Sequence, residues 1–217
     1  MDGQWPRAWS NWAHARKAVQ FADIVRARRM TRAFTAQVVD PRIIEECVDL
    51  ATRAPSAGKS QGWNLLLLEG DDTQRYWNAA FPADKRDGFQ FPGLFDAPMV
   101  ALSLSDPGAY LSRYSEDDKS ATGLGSGLDA WPAPYWTIDA SFATMTFLLA
   151  LEDASLGALF FAHANEKGLR QEFSIPESIE ILGAIAIGHP ADAAGRPGRS
   201  APRARRSSQS VIHRSRW

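Results

Sequence analysis

The sequence contains a single cysteine, Cys47, among 217 residues. This count excludes an internal disulfide, and the apolar neighbours Ile43, Ile44 and Val48 indicate a small buried hydrophobic residue rather than a reactive thiol. No apolar run reaches the roughly 20 residues that a membrane-spanning helix needs, and the start of the chain lacks the apolar core of a signal peptide. We therefore expect a cytoplasmic protein that does not contact a membrane.

Charge is nearly balanced overall but unevenly distributed. The formal net charge is −1, yet residues 196–217 carry seven arginines and no acidic residue, which leaves the rest of the chain at −8. A basic tail of this kind predicts an anionic partner or a solvent-facing role. Apolar residues at 45% and charged residues at 23% are ordinary for a soluble domain. A chain of this length can bury a core without disulfides or metals, so we expect one α/β or α+β unit.

Helix and strand signals follow one another along the chain. Asp40 and Pro41 are typical of an N-cap followed by the first helical residue. The helix at 141–155 is apolar on nearly every side, which predicts burial and suggests a surface shared with a second subunit. Four helices are predicted: one from Val19, one from Pro41 to about Arg53, one from a cap at Asp139 or Ser141 to about Ser155, and one from Leu169 to Phe173. The segment 75–96 is predicted to mix helix and loop. The predicted strands are 63–68, 98–104, 158–162 and 179–187.

The loop before the first strand, APSAGKSQGW at 54–63, allows two interpretations. Gly58, Lys59 and Ser60 are similar to the end of a phosphate-binding P-loop. That motif needs a glycine at position 53, where the chain has arginine, and it follows a strand, whereas here a helix comes first. We interpret the segment as a helix-to-strand loop whose small residues let its backbone approach a ligand.

The segment 105–136 is predicted to be irregular. Gly123, Gly125 and Gly127 resemble part of a dinucleotide fingerprint, but they do not follow a strand and the spacing is wrong. A lid is the better interpretation, and the aromatic residues at 131–136 are candidates for substrate selection.

Four motifs in order resemble the nitroreductase family of FMN-dependent oxidoreductases. They are RRMTRAF at 28–34, APSAGKSQGW at 54–63, the stretch 135–161, and ILGAIAIGHPA at 181–191 followed by the arginine tail. The resemblance covers 19–217 and leaves 1–18 as an N-terminal extension. It implies an α+β, three-layer α/β/α fold with a mixed, mostly antiparallel sheet and a central buried helix. It also implies a homodimer with FMN near the interface, and a basic C-terminal extension, 191–217, that crosses to the partner subunit.

The resemblance also implies a set of cofactor-binding residues. Arginine clusters bind phosphate through charge-assisted hydrogen bonds, so the ends of the chain are expected to meet at the FMN phosphate. The implied cofactor-binding residues are Arg28, Arg29, Met30, Arg32, Pro55, Ser56, Ala57, Gly58, Lys59, Gln61, Phe160, Phe161, Ala162, Arg203 and Arg205; the implied substrate residues are Trp131, Tyr135 and Trp136. Three positions depart from the family pattern: Met30 replaces serine, Lys59 replaces asparagine and Gly62 replaces proline.

The implied activity is hydride transfer from NAD(P)H through FMN to an electron-poor acceptor such as a nitroaromatic or a quinone. The flavin supplies this chemistry, so we expect neither a catalytic nucleophile or base nor a metal. One alternative is a flavoenzyme of the same fold with one narrow substrate, of the dehydrogenase or dehalogenase type. Another is a non-enzymatic anion or nucleic-acid binder that uses the arginine tail. Such tails are usually interleaved with lysine on a neutral or basic body, and this body is acidic, so we expect no nucleic-acid partner.

Overall fold

A computed structural model of the chain describes residues 20–191 and 200–217. Within these residues the helices are α1 (Phe21–Ala27), α2 (Pro41–Ala51), α3 (Asp71–Ala80), α4 (Pro107–Tyr114), α5 (Tyr135–Asp153) and α6 (Glu166–Phe173). The strands are β1 (Trp63–Glu69), β2 (Met99–Ser105), β3 (Gly157–Phe161) and β4 (Glu180–Gly188). The predicted extension at 1–18 lies outside the described residues.

The four strands form one sheet in the order β1-β2-β4-β3, and every pair of neighbouring strands is antiparallel. Two isolated bridges lie outside these strands: Met30 makes a parallel bridge with Ala158, and Phe34 makes an antiparallel bridge with Pro190. The segment before α2 therefore runs along the β3 edge. This places the arginines at 28–32 beside β3.

Helices cover both faces of the sheet. Alternate residues of a strand point to opposite sides, so neighbouring residues of β2 pack in different clusters. Val100 and Leu102 of β2 pack with α3 and α6 in one buried cluster. Met99 and Ala101 pack with α2 and α5 in a second cluster, which also holds Cys47 at 3% exposure. The α+β fold with three layers is the predicted one, and the expectation of a buried Cys47 is confirmed.

Two helix starts test the capping predictions. The Asp40 side chain accepts a hydrogen bond from the backbone N–H of Arg42, with Pro41 in the first turn, which confirms the predicted start of α2. The predicted start of α5 at Asp139 or Ser141 was wrong, because this helix begins directly after Pro134. Asp139 lies inside the helix, where its carboxylate binds groups outside α5.

The prediction that 105–136 is irregular was wrong for its first third. Asp106 accepts a hydrogen bond from the backbone N–H of Gly108 and Pro107 occupies the first turn, so α4 begins there. The same Asp-Pro signal marks α2, and it was available in the sequence. The rest of the segment consists of short 3₁₀ turns between 120 and 130. It packs as a cluster of buried aromatic side chains, namely Tyr110, Tyr114, Trp131 and Trp136.

Candidate functional site

The loop between α2 and β1 holds an unusual backbone conformation. Gly58, Lys59 and Gln61 have φ angles of 59°, 60° and 54°. The left-handed region disfavours residues with a side chain, and such residues cluster at ligand-binding segments. Lys59 and Gln61 both carry a side chain, so the surrounding structure must hold the loop in place.

A buried carboxylate provides one of the contacts that hold the loop. The Asp139 Oδ2 atom accepts a hydrogen bond of 2.7 Å from the backbone N–H of Ala57 and one of 2.9 Å from the Tyr110 hydroxyl. Asp139 is only 7% exposed. Burial, together with the neighbouring Asp139 carboxylate, raises the pKa of the Tyr110 hydroxyl, so this group stays a donor.

Helix α4 provides the second set of contacts. Arg113 Nε donates a hydrogen bond of 2.8 Å to the carbonyl oxygen of Gly58, while the rest of its guanidinium binds Asp118 and Glu116. The Asp118 hydrogen bond raises the pKa of Arg113. The Tyr114 ring lies so close to Gly58 that a Cβ atom there would come within 2.8 Å of it. Only glycine fits between this ring and the loop.

The arginines after α1 differ in their surroundings. Arg29 donates to backbone carbonyl oxygens of the last turn of α1, namely that of Arg26 and, at 2.9 Å, that of Ala27, so it closes that helix. Arg32 donates to the Met30 carbonyl oxygen at 2.9 Å. Arg28 is half-buried, and its Nη1 atom is buried without a hydrogen-bond partner among the described residues. A buried guanidinium nitrogen without an acceptor is costly, and an anion would satisfy it.

A cavity of 620 Å³ lies between α5 and the β3–β4 side of the sheet. Its lining is largely apolar, with Met145 and Leu148 from α5 and Phe160 from β3. Met30, at the end of the arginine segment, lies in the same wall. A volume of this size is within the range of small-molecule and cofactor sites.

One carboxylate faces this cavity. Glu180, the first residue of β4, accepts hydrogen bonds of 2.8 Å from Trp136 Nε1 through Oε1 and of 2.8 Å from the Thr137 hydroxyl through Oε2. Both donors belong to the first turn of α5. The carboxylate is therefore fixed in the wall instead of extending into solvent.

Helix α5 separates the cavity from the loop site. Ser141 and Met145 line the cavity, whereas Asp139 and Ala143 line a small pocket of 60 Å³ beside the loop. With 3.6 residues per turn these two sets lie on opposite sides of the helix. Phe142 lies on the surface between them, and it is 48% exposed.

The structure brings together only part of the predicted set. Met30 and Phe160 share the cavity, but Phe161 points to the other sheet face, where its ring stacks on Trp77 at 5.9 Å. The two side chains therefore lie on opposite faces of the sheet, so a ligand in the cavity would contact the Phe160 ring but not the Phe161 ring. Ala162 is exposed, and Pro55 and Ser56 lie beside the small pocket.

The predicted substrate residues do not line the 620 Å³ cavity. Trp131 is buried between Tyr110 and Tyr114, and Trp136 donates to Glu180, whereas Tyr135 is 37% exposed. In the tail, Arg203 and Arg205 are exposed, and their side chains form no ion pair with any residue of the described parts of the chain.

Several site residues were not predicted from the sequence. Asp139, Tyr110, Arg113 and Glu180 act through contacts with residues distant in the chain, for example 82 positions between Ala57 and Asp139. No local pattern in the sequence marks such pairs. The Asp-Pro start of α4 was the one available signal, because it places Tyr110 and Arg113 on a helix.

Comparisons with known proteins agree with the fold. The Nitroreductase family model matches residues 25–189. The chain is 25% identical over 173 residues to an Archaeoglobus fulgidus protein with the provisional name NADH dehydrogenase/NAD(P)H nitroreductase, a match that covers 78% of this chain and 84% of the relative. It is 22% identical over 179 residues to a Thermus thermophilus NADH dehydrogenase, covering 76% and 84%. A nitroreductase family protein of Streptococcus pneumoniae superposes with a TM-score of 0.70 at 18% identity, covering 89% of this chain and 99% of that one.

The α+β fold and a cavity of small-molecule size beside the arginine segment agree with the family that the comparisons show. The chain belongs to the nitroreductase family, and it is an oxidoreductase. No helix in the described residues is long and apolar enough to cross a membrane.

Proposed function

We propose that the protein is an FMN-dependent oxidoreductase that takes a hydride from NAD(P)H and reduces an electron-poor acceptor such as a nitroaromatic or a quinone. The observation that carries the proposal is the Nη1 atom of Arg28, which is buried without a hydrogen-bond partner among the described residues. Arg28 follows the last turn of α1, where its backbone N–H donates to the Ile24 carbonyl oxygen, and it lies two residues before Met30, which lines the cavity. Its chemistry fits the FMN phosphate. The flavin, when bound, would accept the hydride and pass two electrons on, so that a quinone with two protons becomes a hydroquinone.

The chain's own residues would bind and orient the cofactor. Arg28 would hold the phosphate, and Phe160 and Met30 would contact the ring from the cavity wall. The loop held by Asp139 would present backbone groups in a fixed conformation, which lowers the entropic cost of binding. Arg203 and Arg205 remain proposed phosphate ligands, because their exposed side chains are free to reach a second subunit.

The positions of the loop and the cavity support a homodimer. The loop and the cavity lie on opposite sides of α5, and the exposed surface between them carries Phe142 and Met145, at 48% and 41% exposure. Large exposed apolar side chains on an apolar helix are typical of an interface. A twofold contact through this surface would place the loop of one subunit near the cavity of the other.

Flavin binding by matched variants tests the proposal. Protein purified without added cofactor should be yellow and should release FMN on denaturation. Arg28→Ala should lose at least about tenfold in FMN affinity, the loss of one charge-assisted contact, and Arg28→Lys should recover it only in part, because lysine lacks the planar fork. Arg26→Ala is the control, since the Arg26 side chain is 77% exposed.

Reduction of the bound flavin by NADH and NADPH, followed by steady-state assays with quinones and nitro compounds, tests the reaction itself. A colourless protein that does not take up FMN, and that instead binds DNA in a salt-sensitive manner, would overturn the proposal in favour of a nucleic-acid binder.

A further inference from the structure

We propose that Glu180 sets the charge selectivity of the 620 Å³ cavity, so that it takes neutral or cationic aromatic acceptors and disfavours acceptors that carry a carboxylate. This inference rests on the proposed function, since it names the class of acceptor for the same site.

Glu180 is the one charged side chain among the described residues that line the cavity. No arginine, lysine or histidine in the described parts of the chain forms an ion pair with it. Its two hydrogen-bond donors, Trp136 Nε1 and the Thr137 hydroxyl, are neutral. They hold the carboxylate in place without cancelling its charge, so the part of the wall at Glu180 is negative.

The other polar groups of the wall are already engaged. The Ser141 hydroxyl donates to the Thr137 carbonyl oxygen at 2.7 Å, and the Thr144 hydroxyl donates to the Ala140 carbonyl oxygen at 2.7 Å. A carboxylate has about four acceptor positions, and protein donors occupy two of those of Glu180. Glu180 therefore has the spare capacity to accept a hydrogen bond from an ammonium or amide group of a ligand.

The apolar part of the wall selects the rest of the ligand. Leu148 and Leu182, which are assigned neither to the flavin ring nor to the proposed interface, offer a surface suited to an aromatic ring. An aromatic acceptor with an ammonium substituent would bind more tightly through both the apolar wall and the Glu180 carboxylate. The same ring with a carboxylate would bring two like charges together in a partly desolvated cavity, which is unfavourable.

Three acceptors of one shape test this inference: 4-nitrobenzylamine as its ammonium ion, neutral 4-nitrobenzamide and 4-nitrobenzoate. In the wild-type protein we expect kcat/KM for the ammonium compound to exceed that for the carboxylate by about tenfold or more, and Glu180→Gln should reduce this ratio to about twofold. Glu177→Gln is the matched control, because the Glu177 side chain is 92% exposed and lies outside the cavity lining.

A second variant separates charge from structural support. Thr137→Val removes one of the donors to Glu180 but keeps the carboxylate. The ratio of kcat/KM for the ammonium compound to that for the carboxylate should therefore stay close to the wild-type ratio, even where the individual rates fall. Equal losses for all three acceptors in Glu180→Gln, with an unchanged ratio, would overturn the inference.

Binding without turnover keeps the inference distinct from the proposed function. Calorimetric titration of the purified protein with benzylamine and with benzoate should show tighter binding of benzylamine, and Glu180→Gln should abolish the difference. If no acceptor is reduced, the proposed function fails while this titration still decides the role of Glu180. Equal affinity for both compounds in the wild-type protein would refute the selectivity.

Discussion

The Asp139 Oδ2 atom lies 2.7 Å from the backbone nitrogen of Ala57 and 2.9 Å from the Tyr110 hydroxyl oxygen. One buried carboxylate thus joins the central helix, the loop before β1 and helix α4. Its removal should affect the loop more than the core, because its partners belong to the loop and to the segment that packs on it.

Asp139→Ala should destabilise the protein by about 1–3 kcal/mol, because it leaves the Ala57 N–H and the Tyr110 hydroxyl without their acceptor. Urea unfolding measures the effect. Tyr110→Phe removes the hydroxyl but keeps the Ala57 contact, so it should cost less. A loss in Tyr110→Phe as large as in Asp139→Ala would contradict the role assigned to the Ala57 hydrogen bond.

Two glycines with similar φ and ψ angles separate backbone strain from steric contact. Gly58 has φ +59° and ψ 12°, and a Cβ atom there would meet the Tyr114 ring at 2.8 Å, whereas Gly123 has φ +73° and ψ −3° and nothing within 4 Å. Gly123→Ala should cost about 1 kcal/mol for the left-handed conformation alone. Gly58→Ala should cost clearly more. Equal values from thermal or urea unfolding would show that the loop moves away from Tyr114.

The contact between Arg113 and Asp118 predicts a dependence of stability on pH. The Arg113 hydrogen bond holds the pKa of Asp118 below its ordinary value of 3.8. The stabilisation is therefore fully present above that value and is lost as the pH falls through the lower pKa of the folded state. Asp118→Asn should be less stable than the wild type at pH 5, and the difference should shrink as the pH falls below 3.8. Asp117→Asn, at an exposed neighbouring position, should show no such change.

Substitution of the exposed apolar surface on α5 tests the proposed homodimer. Phe142→Glu places a charge in the proposed interface, so light scattering should report a monomer, and the protein should lose flavin because the proposed site is shared between two chains. Val38→Glu is the control, since Val38 is 80% exposed but lies before α2, away from this surface. A Phe142→Glu protein that remains dimeric and yellow would exclude this surface as the interface.

Periodicity and capping signals predicted the strands and the helix at 41–51 well, because local chemistry decides those elements. The start of α5 was misplaced because Asp139, a good N-cap by type, is used in a contact with Ala57 instead. Phe160 and Phe161 show the second limit: their alternation was visible, but only the packing of the helices on the two sheet faces decides which ring faces the cavity. The family motifs led to a prediction of the site segments, which stays a prediction, whereas the residues that support those segments were found only in three dimensions.

Helix α5 carries residues of both pockets, and this limits how either can change. A shift of the helix by one residue would move Asp139 and Ser141 together by about 1.5 Å along its axis. The loop would then lose its anchor whenever the cavity was reshaped in this way. A broader range of acceptors is therefore best sought by replacing a single side chain such as Leu148, which lines the cavity and points away from the loop, while the helix backbone stays where it is.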